Sequence, residues 1–318
     1  MEPPSLARKV LKRILLGPSE FPQQCALGLR DPQSEVSVWL HGLGSPRDVT
    51  HSHMMACAAP LTIGIGFHGP GEPALGEGAR LSLSFREQDE RAQCLVKIYL
   101  QHSKTLPVGN HELYLFKVLS CRNHCLPKIR LWTRYLYYAY RRWRQTPEVQ
   151  MTAREVHSMI AFFVCPRPVV LVSVTDGRVS NIFPMNLMGP IGGNYFSFAL
   201  NSTRPVTSLV ERAGRVALSS LPMEYTSLAY ELAKNHKREH ADWNLLPFST
   251  RLSTRLGLPV PEFSLRVREL QIEATRKMGS HTLFVARIIQ DESWADGLQF
   301  FTVHGFYQAW RQRTKRSR

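Results

Sequence analysis

Residues 166–205 read PRPVVLVSVTDGRVSNIFPMNLMGPIGGNYFSFALNSTRP. A β-branched run, Val169–Val174, leads into a turn at Asp176-Gly177. A polar segment follows around Asn181–Asn186, then an aromatic run, Tyr195–Leu200, and a polar and basic loop, Asn201-Ser202-Thr203-Arg204. Apolar runs of this length bounded by turn residues read as buried strands. Two such strands flanking polar loops suit an anionic ligand on the rim of a small barrel.

The same order of features recurs upstream, in VSVWLHGLGSPRDVTHSHMMACAAPLTIGIGF (36–67). Further matches follow. ARLSLS at 79–84 resembles GRVALS at 214–219, and Gly109-Asn110-His111 before ELYLFKVL resembles Gly279-Ser280-His281 before TLFVARII. These matches indicate an internal repeat. The offset is about 135 residues at first and 170 at the histidines, so the second copy carries an insertion, MEYTSLAYELAKNHKREHADWNLLPFSTRLSTRLGLP (223–259). Its Tyr225, Leu228 and Leu232 have helical spacing, and its end is rich in Pro and Gly.

Between the copies, Leu126, Ile129, Trp132, Leu136, Tyr140 and Trp143 recur at helical spacing, with Arg130, Arg134 and Arg141 on another face. The expectation is an amphipathic linker helix whose aromatics pack between two barrels; the alternative for interleaved aromatics and arginines is single-stranded nucleic acid. Thr152 and Glu155 have capping-box spacing, and Val156, Ile160 and Phe163 mark the apolar side of a second helix. Residues 5–16 (SLARKVLKRILL) read as a short amphipathic helix, and 17–34 as a turn-rich connector.

At 318 residues the chain is long enough for two domains, and 43% apolar with 20% charged residues is a globular composition. A net charge of +15 permits nucleotides, nucleic acid or an acidic membrane as partners. The cations cluster at the start, in the linker and at the end, and solvated faces with a frayed tail are the default reading. Six scattered cysteines without a disulfide framework read as reduced thiols of a cytoplasmic protein. CxxHC at 121–125 is a poor zinc pattern, so no metal is assigned. No stretch is long and apolar enough to span a bilayer.

Residues 151–310 resemble the flavin reductase-like family of FMN-binding split β-barrels. The resemblance runs in order through TAREVHSMIAFFVCPRPVVLVSV, the SNIFPMN segment (180–186), YFSFAL, the STR turn (202–204), GSH-TLFVARI and the terminal HGFYQ (304–308). It implies a mainly β fold, here two tandem split barrels with a helical linker and a helical insertion in the second. The expected organisation is an N-terminal amphipathic helix (1–20), a degenerate split-barrel-like domain (21–125), the linker (126–150), the flavin reductase-like domain (151–310) and a basic tail (311–318).

The resemblance further implies FMN as cofactor, with FAD as the alternative, and NAD(P)H as co-substrate. Partners would be a monooxygenase receiving reduced flavin, and either an intrachain pseudo-dimer or a homodimer. Cofactor contacts carry over to Asn181, Pro184, Met185, Asn186, Leu187, Asn201, Ser202, Thr203 and Arg204. His281 takes the position of a histidine near the nicotinamide or flavin, the one candidate catalytic residue. Many relatives have Asp where Ser280 stands and serine where Asn186 stands. Hydride transfer needs no protein nucleophile. Thr50 and Ser52 fall opposite Pro184 and Asn186. GPGEPALGEG (69–78), acidic at Glu72 and Glu77, lacks an STR counterpart, so one flavin per chain is expected. The alternatives are a flavin-dependent enzyme on a small organic substrate, with the insertion as a lid and Tyr225, Tyr230, His236 and Trp243 lining it, or a non-catalytic flavin- or nucleic-acid-binding protein.

Overall fold

The structure is a computed structural model that describes residues 23–67, 75–76, 78–88, 92–144 and 147–316. The segment 5–16 and most of 69–78 lie outside the described residues.

Eight strands come first: β1 (Gln24–Leu29), β2 (Val36–His41), β3 (Arg47–Asp48), β4 (His53–Ala58), β5 (Leu61–Gly66), β6 (Arg80–Glu87), β7 (Cys94–Val108) and β8 (His111–Asn123). Helices α1 (Lys128–Arg144) and α2 (Ala153–Phe162) follow. The second half begins with β9 (Arg167–Pro168), β10 (Val170–Thr175), β11 (Ser180–Met185), β12 (Met188–Gly192) and β13 (Tyr195–Asn201), then α3 (Pro205–Ala213) and β14 (Arg215–Ser220). The insertion contributes α4 (Thr226–Leu232), flanked by single 3-10 turns, and the short pair β15 (Thr250–Leu252) and β16 (Pro259–Pro261). The chain ends with β17 (Arg266–Lys277), β18 (His281–Ser293), β19 (Gln299–His304) and α5 (Gly305–Arg316).

Two seven-stranded antiparallel sheets result, ordered β3-β2-β6-β7-β8-β5-β4 and β11-β10-β14-β17-β18-β13-β12. They match strand for strand. Val36 opens β2 as Val170 opens β10, and His111 opens β8 as His281 opens β18, which reproduces the two offsets of the sequence repeat. The architecture is mainly β with helical insertions, two similar sheets of the kind that tandem split barrels present.

The two sheets pack against each other through a shared apolar layer. Met54, Ala56, Leu113 and Leu115 from the first meet Ile191, Ala199, Leu283 and Val285 from the second. The contacts obey an approximate two-fold. The β7–β8 turn lies on the β12–β13 turn, with the His111 and Tyr195 rings 6.3 Å apart. In the mirrored contact the β17–β18 turn lies on the β4–β5 turn, where Ser280 N donates to Ala59 O at 2.8 Å. Gly279 has φ +84°, and a Cβ there would run into the Ala59 carbonyl, so both the turn and the seam require glycine.

Three expectations are corrected. Residues 24–29 are not connector: β1 pairs with β19, which pairs with β9, so a third sheet ties the ends of the chain together. The segment at 181–186, read as polar loop, is mostly strand. Ile182, Phe183 and Met185 are buried, and Pro184 is tolerated because β11 is an edge strand. The linker aromatics do not pack between barrels: Ile129, Trp132, Leu136, Tyr140 and Trp143 are all exposed. Helix α1 buries the other side, Leu131, Arg134 and Tyr138, and Tyr135 stacks on His157 of α2 at 3.7 Å. The sequence periodicity is genuine, but it marks the wider apolar stripe, not the buried one.

The capping box of α2 forms as its spacing predicts, with Thr152 Oγ1 accepting from Glu155 N. Its Val156, Ile160 and Phe162 pack into the core of the first sheet, together with Phe306, Tyr307 and Trp310 of α5. Helix α3 covers the second core through Val206, Leu209 and Val210. Arg311, expected on a frayed tail, lies on α5 and pairs with Glu35 at 3.2 Å.

Candidate functional site

The edge of the second sheet and the start of α3 place the residues singled out from sequence on one rim, with one exception. Asn201 ends β13 opposite His281 at the start of β18. Its Oδ1 accepts from Thr203 N at 3.0 Å and Thr203 Oγ1 at 2.9 Å, which folds the chain into a tight Asx turn. Ser202 Oγ lies 3.1 Å from Thr282 Oγ1. Arg204 is the N-cap of α3 and supplies no side-chain cap, and Pro205 follows at the first helical position. Pro205 has no N–H and the Thr207 N–H donates to Arg204 O, so the Val206 N–H and the helix dipole are what this end of α3 offers an anion.

An anion already shows how the cations there are aimed. The Glu148 carboxylate bonds to Arg204 Nη2 and sits 2.8 Å from Lys237 Nζ, so two cations from distant elements share one carboxylate. Their hydrogen bonds hold the Glu148 carboxyl below its ordinary range, Lys237 contributing most. Next to Lys237, His236 Nε2 donates to Pro184 O at 2.7 Å, and burial lowers its pKa. The insertion thus joins the 184–187 segment to the 201–204 turn. Pro184, Asn186 and Leu187 are half-buried there and Met185 is buried.

Asn181 is the exception. It is fully buried, and its Nδ2 donates to the carbonyls of Arg238 at 2.8 Å and of Asn235 and Glu239 at 3.3 Å. It fastens the insertion to β11. His281 is buried at the seam between the sheets, with Nδ1 2.9 Å from Ser280 Oγ and 3.4 Å from Ala58 N. Burial pushes its pKa down to about 4, so the imidazole is neutral at physiological pH.

The insertion is packed rather than poised open. Tyr225 stacks on Phe263 at 3.9 Å, and Trp243 packs with Phe248 around Leu228 and Leu232; Tyr230 is exposed.

A cavity of about 240 Å³ opens between the two halves, directly after the 184–187 segment. Thr50 and His51 line it from the first half, and Arg167, Met188, Pro190 and Phe196 from the second. Of the residues singled out from sequence Thr50 lines it, whereas none of the nine assigned cofactor contacts does, nor does His281. Arg167 is buried, donates from Nη2 to Met188 O at 2.7 Å, and has its Nη1 3.3 Å from His53 Nε2. Its Nε has no partner among the described residues.

Sequence reading missed Glu148, Lys237 and Arg167. Lys237 was hidden in a basic run, NHKREH, that a solvated surface explains equally well, and Glu148 is a single acid in a basic stretch. Only the fold brings them to the α3 terminus.

Residues 162–297 match the family model described as flavin reductase like domain. The second half therefore has a flavin-reductase-like fold with split-barrel architecture. Among solved structures, the chain is similar to the NADH:FAD oxidoreductase of Streptomyces globisporus C-1027, at 16% identity over 50% of this chain and 95% of that one, with a TM-score of 0.43. It is also similar to the FMN-binding protein of Thermus thermophilus with bound p-hydroxybenzaldehyde, at 22% identity, 43% and 81% coverage and a TM-score of 0.38. A third is the styrene monooxygenase flavin reductase of Pseudomonas putida S12, at 19% identity, 46% and 91% coverage and a TM-score of 0.38. No curated protein matches the chain significantly.

Proposed function

We propose that the second half binds one flavin mononucleotide per chain and acts as an NAD(P)H-dependent flavin reductase. The observation that carries the reading is the anion seat at α3, where Arg204 and Lys237 converge on one carboxylate beside an uncapped helix terminus. The donor set fits a phosphate: two cations, the Val206 N–H, and the Ser202 and Thr203 hydroxyls once they turn from Thr282 and Asn201. Flavin phosphate takes the place of the Glu148 carboxylate in this reading, and FAD remains the alternative nucleotide.

Asn201 shapes the turn that presents these donors. Pro184, Met185, Asn186 and Leu187 border the ring, with Asn186 supplying both a donor and an acceptor. Asn181 acts from beneath, by holding the insertion that carries Lys237. His281, kept neutral by burial, orients its neighbours at the seam and carries no charge in the reaction. Bound flavin would supply the hydride acceptor for reduced nicotinamide, and the protein supplies stacking geometry and exclusion of water. Reduced flavin would then serve a partner monooxygenase. The first half has no described counterpart of the 201–204 turn and faces the second as a built-in pseudo-partner.

The cavity between the halves favours a second reading, in which bound flavin acts on a small organic molecule held near Met188–Pro190. Steady-state oxidation of NADH and NADPH separates the two. Consumption that saturates with added free FMN supports the reductase. A protein that binds FMN tightly but does not turn over added flavin supports the second reading, and one that binds no flavin sinks both.

A further inference from the structure

Helix α1 turns a continuous apolar stripe away from the protein. Ile129 is 80% exposed, Trp132 67%, Leu136 56%, Tyr140 52% and Trp143 83%. At about 100° per residue these five fall within roughly 80° of one another, on the side opposite the buried Leu131, Arg134 and Tyr138. Exposed apolar surface of this size on a helix marks an interaction site.

The charges around the stripe say what kind of surface it meets. Lys128 and Arg144 flank it, each about 40° beyond an edge, and Arg130 and Arg141 lie further round on the Arg144 side; all four are exposed. The helix contains no acidic residue. None of these four cations has a carboxylate partner among the described residues. The partner must therefore be apolar in the middle and anionic at the margins. A second copy does not meet this description, because a two-fold helix pair would set these cations against one another. Nucleic acid supplies the anions and could stack on Trp132, Tyr140 and Trp143, but it would leave the exposed aliphatic Ile129 and Leu136 of the same stripe uncovered. A bilayer with acidic headgroups supplies both: the apolar side chains enter the headgroup–acyl boundary, Trp and Tyr settle at the interface, and the cations stay at headgroup level.

We propose that α1 docks this protein peripherally on anionic phospholipid membranes. No helix among the described residues is long and apolar enough to cross a membrane, so α1 lies in the interface plane rather than spanning it. Attachment through α1 leaves the α3 rim and the cavity on other elements, and the proposal holds whether or not flavin binds there.

The test is co-sedimentation of the full-length protein with vesicles of phosphatidylcholine alone and of phosphatidylcholine mixed with phosphatidylserine. The expected result is binding to the mixed vesicles at low salt, at least about tenfold weaker to the neutral ones, and loss at high salt. Trp132→Ser/Trp143→Ser should weaken binding at least about tenfold with unchanged thermal melting, since both side chains are exposed. Lys128→Glu/Arg144→Glu should weaken it at least about 25-fold, at roughly fivefold per cation. Four results overturn the proposal. They are no vesicle binding at low salt; binding retained by both double variants; a wild-type dimer that the tryptophan variant makes monomeric; or binding of homopolymeric RNA, lost in the variants, without vesicle binding.

Discussion

Arg204 and Glu148 should affect flavin affinity in opposite directions. In the reading above, Arg204 donates a charged hydrogen bond to the flavin phosphate, worth about 1.5–3 kcal/mol. To do so it gives up the Glu148 carboxylate. That pair is half-open to solvent, the Arg204 side chain 19% and the Glu148 side chain 47% exposed, so breaking it costs at most about 1 kcal/mol. With that cost taken at about 1 kcal/mol, the net loss in Arg204→Ala is about 0.5–2 kcal/mol, or a roughly two- to thirtyfold weaker Kd for FMN. Glu148→Gln removes the competing carboxylate and should tighten FMN up to about fivefold. The assay is a fluorescence titration of apoprotein with FMN and, in parallel, with riboflavin, which has no phosphate. Riboflavin affinity should not change in either variant. FMN affinity unchanged in Arg204→Ala would refute the anion-seat argument, as would equal losses for FMN and riboflavin or a Glu148→Gln variant that binds FMN more weakly.

Three further outcomes follow from buried groups. Burial lowers the pKa of His304 to about 3 and of His281 to about 4, against roughly 6.5 in the unfolded chain. The unfolded state therefore takes up protons first, and stability should fall as pH drops from about 6.5 towards 4, by about 1.4 kcal/mol per pH unit for each imidazole. Thermal melts across that range should show it, with a shallower slope in His304→Gln; melting temperatures flat down to pH 4 would contradict the burial argument. Gly66→Ala would place a Cβ against the Ile191 backbone across the seam, so a loss of about 1–3 kcal/mol is expected in urea unfolding, and a neutral effect would mean the halves do not meet there. Asn181→Ala strips a donor from the carbonyls of Asn235, Arg238 and Glu239, the first of them buried, and should cost about 1–3 kcal/mol of stability. Its FMN affinity should change far less than in Arg204→Ala, and the reverse ranking would place Asn181 in the ligand contact.

The sequence made the paired sheets legible because strand alternation and turn residues are local. The ARLSLS and GRVALS runs became β6 and β14, and the two histidine turns became the starts of β8 and β18. It also made legible the α2 cap, whose two partners are three residues apart. What it concealed depends on distant pairing. QCALGL is a strand only because His304 and its neighbours lie alongside it. The α1 periodicity was visible, but which of two faces would be buried depends on where α2 and α5 sit. Likewise, Glu148 and Lys237 become site residues only when the insertion folds back over Pro184. The candidate rim was therefore half legible: the donors of the 201–204 turn stood in sequence order, and their electrostatic partners did not.

The most direct test of the central claim is to load purified protein with FMN, remove unbound flavin, measure the flavin-to-chain ratio, and then add NADH or NADPH without oxygen. The account predicts one flavin per chain and bleaching of the yellow band on nicotinamide addition. Two flavins per chain, no retained flavin, or a band that neither nucleotide bleaches would contradict it.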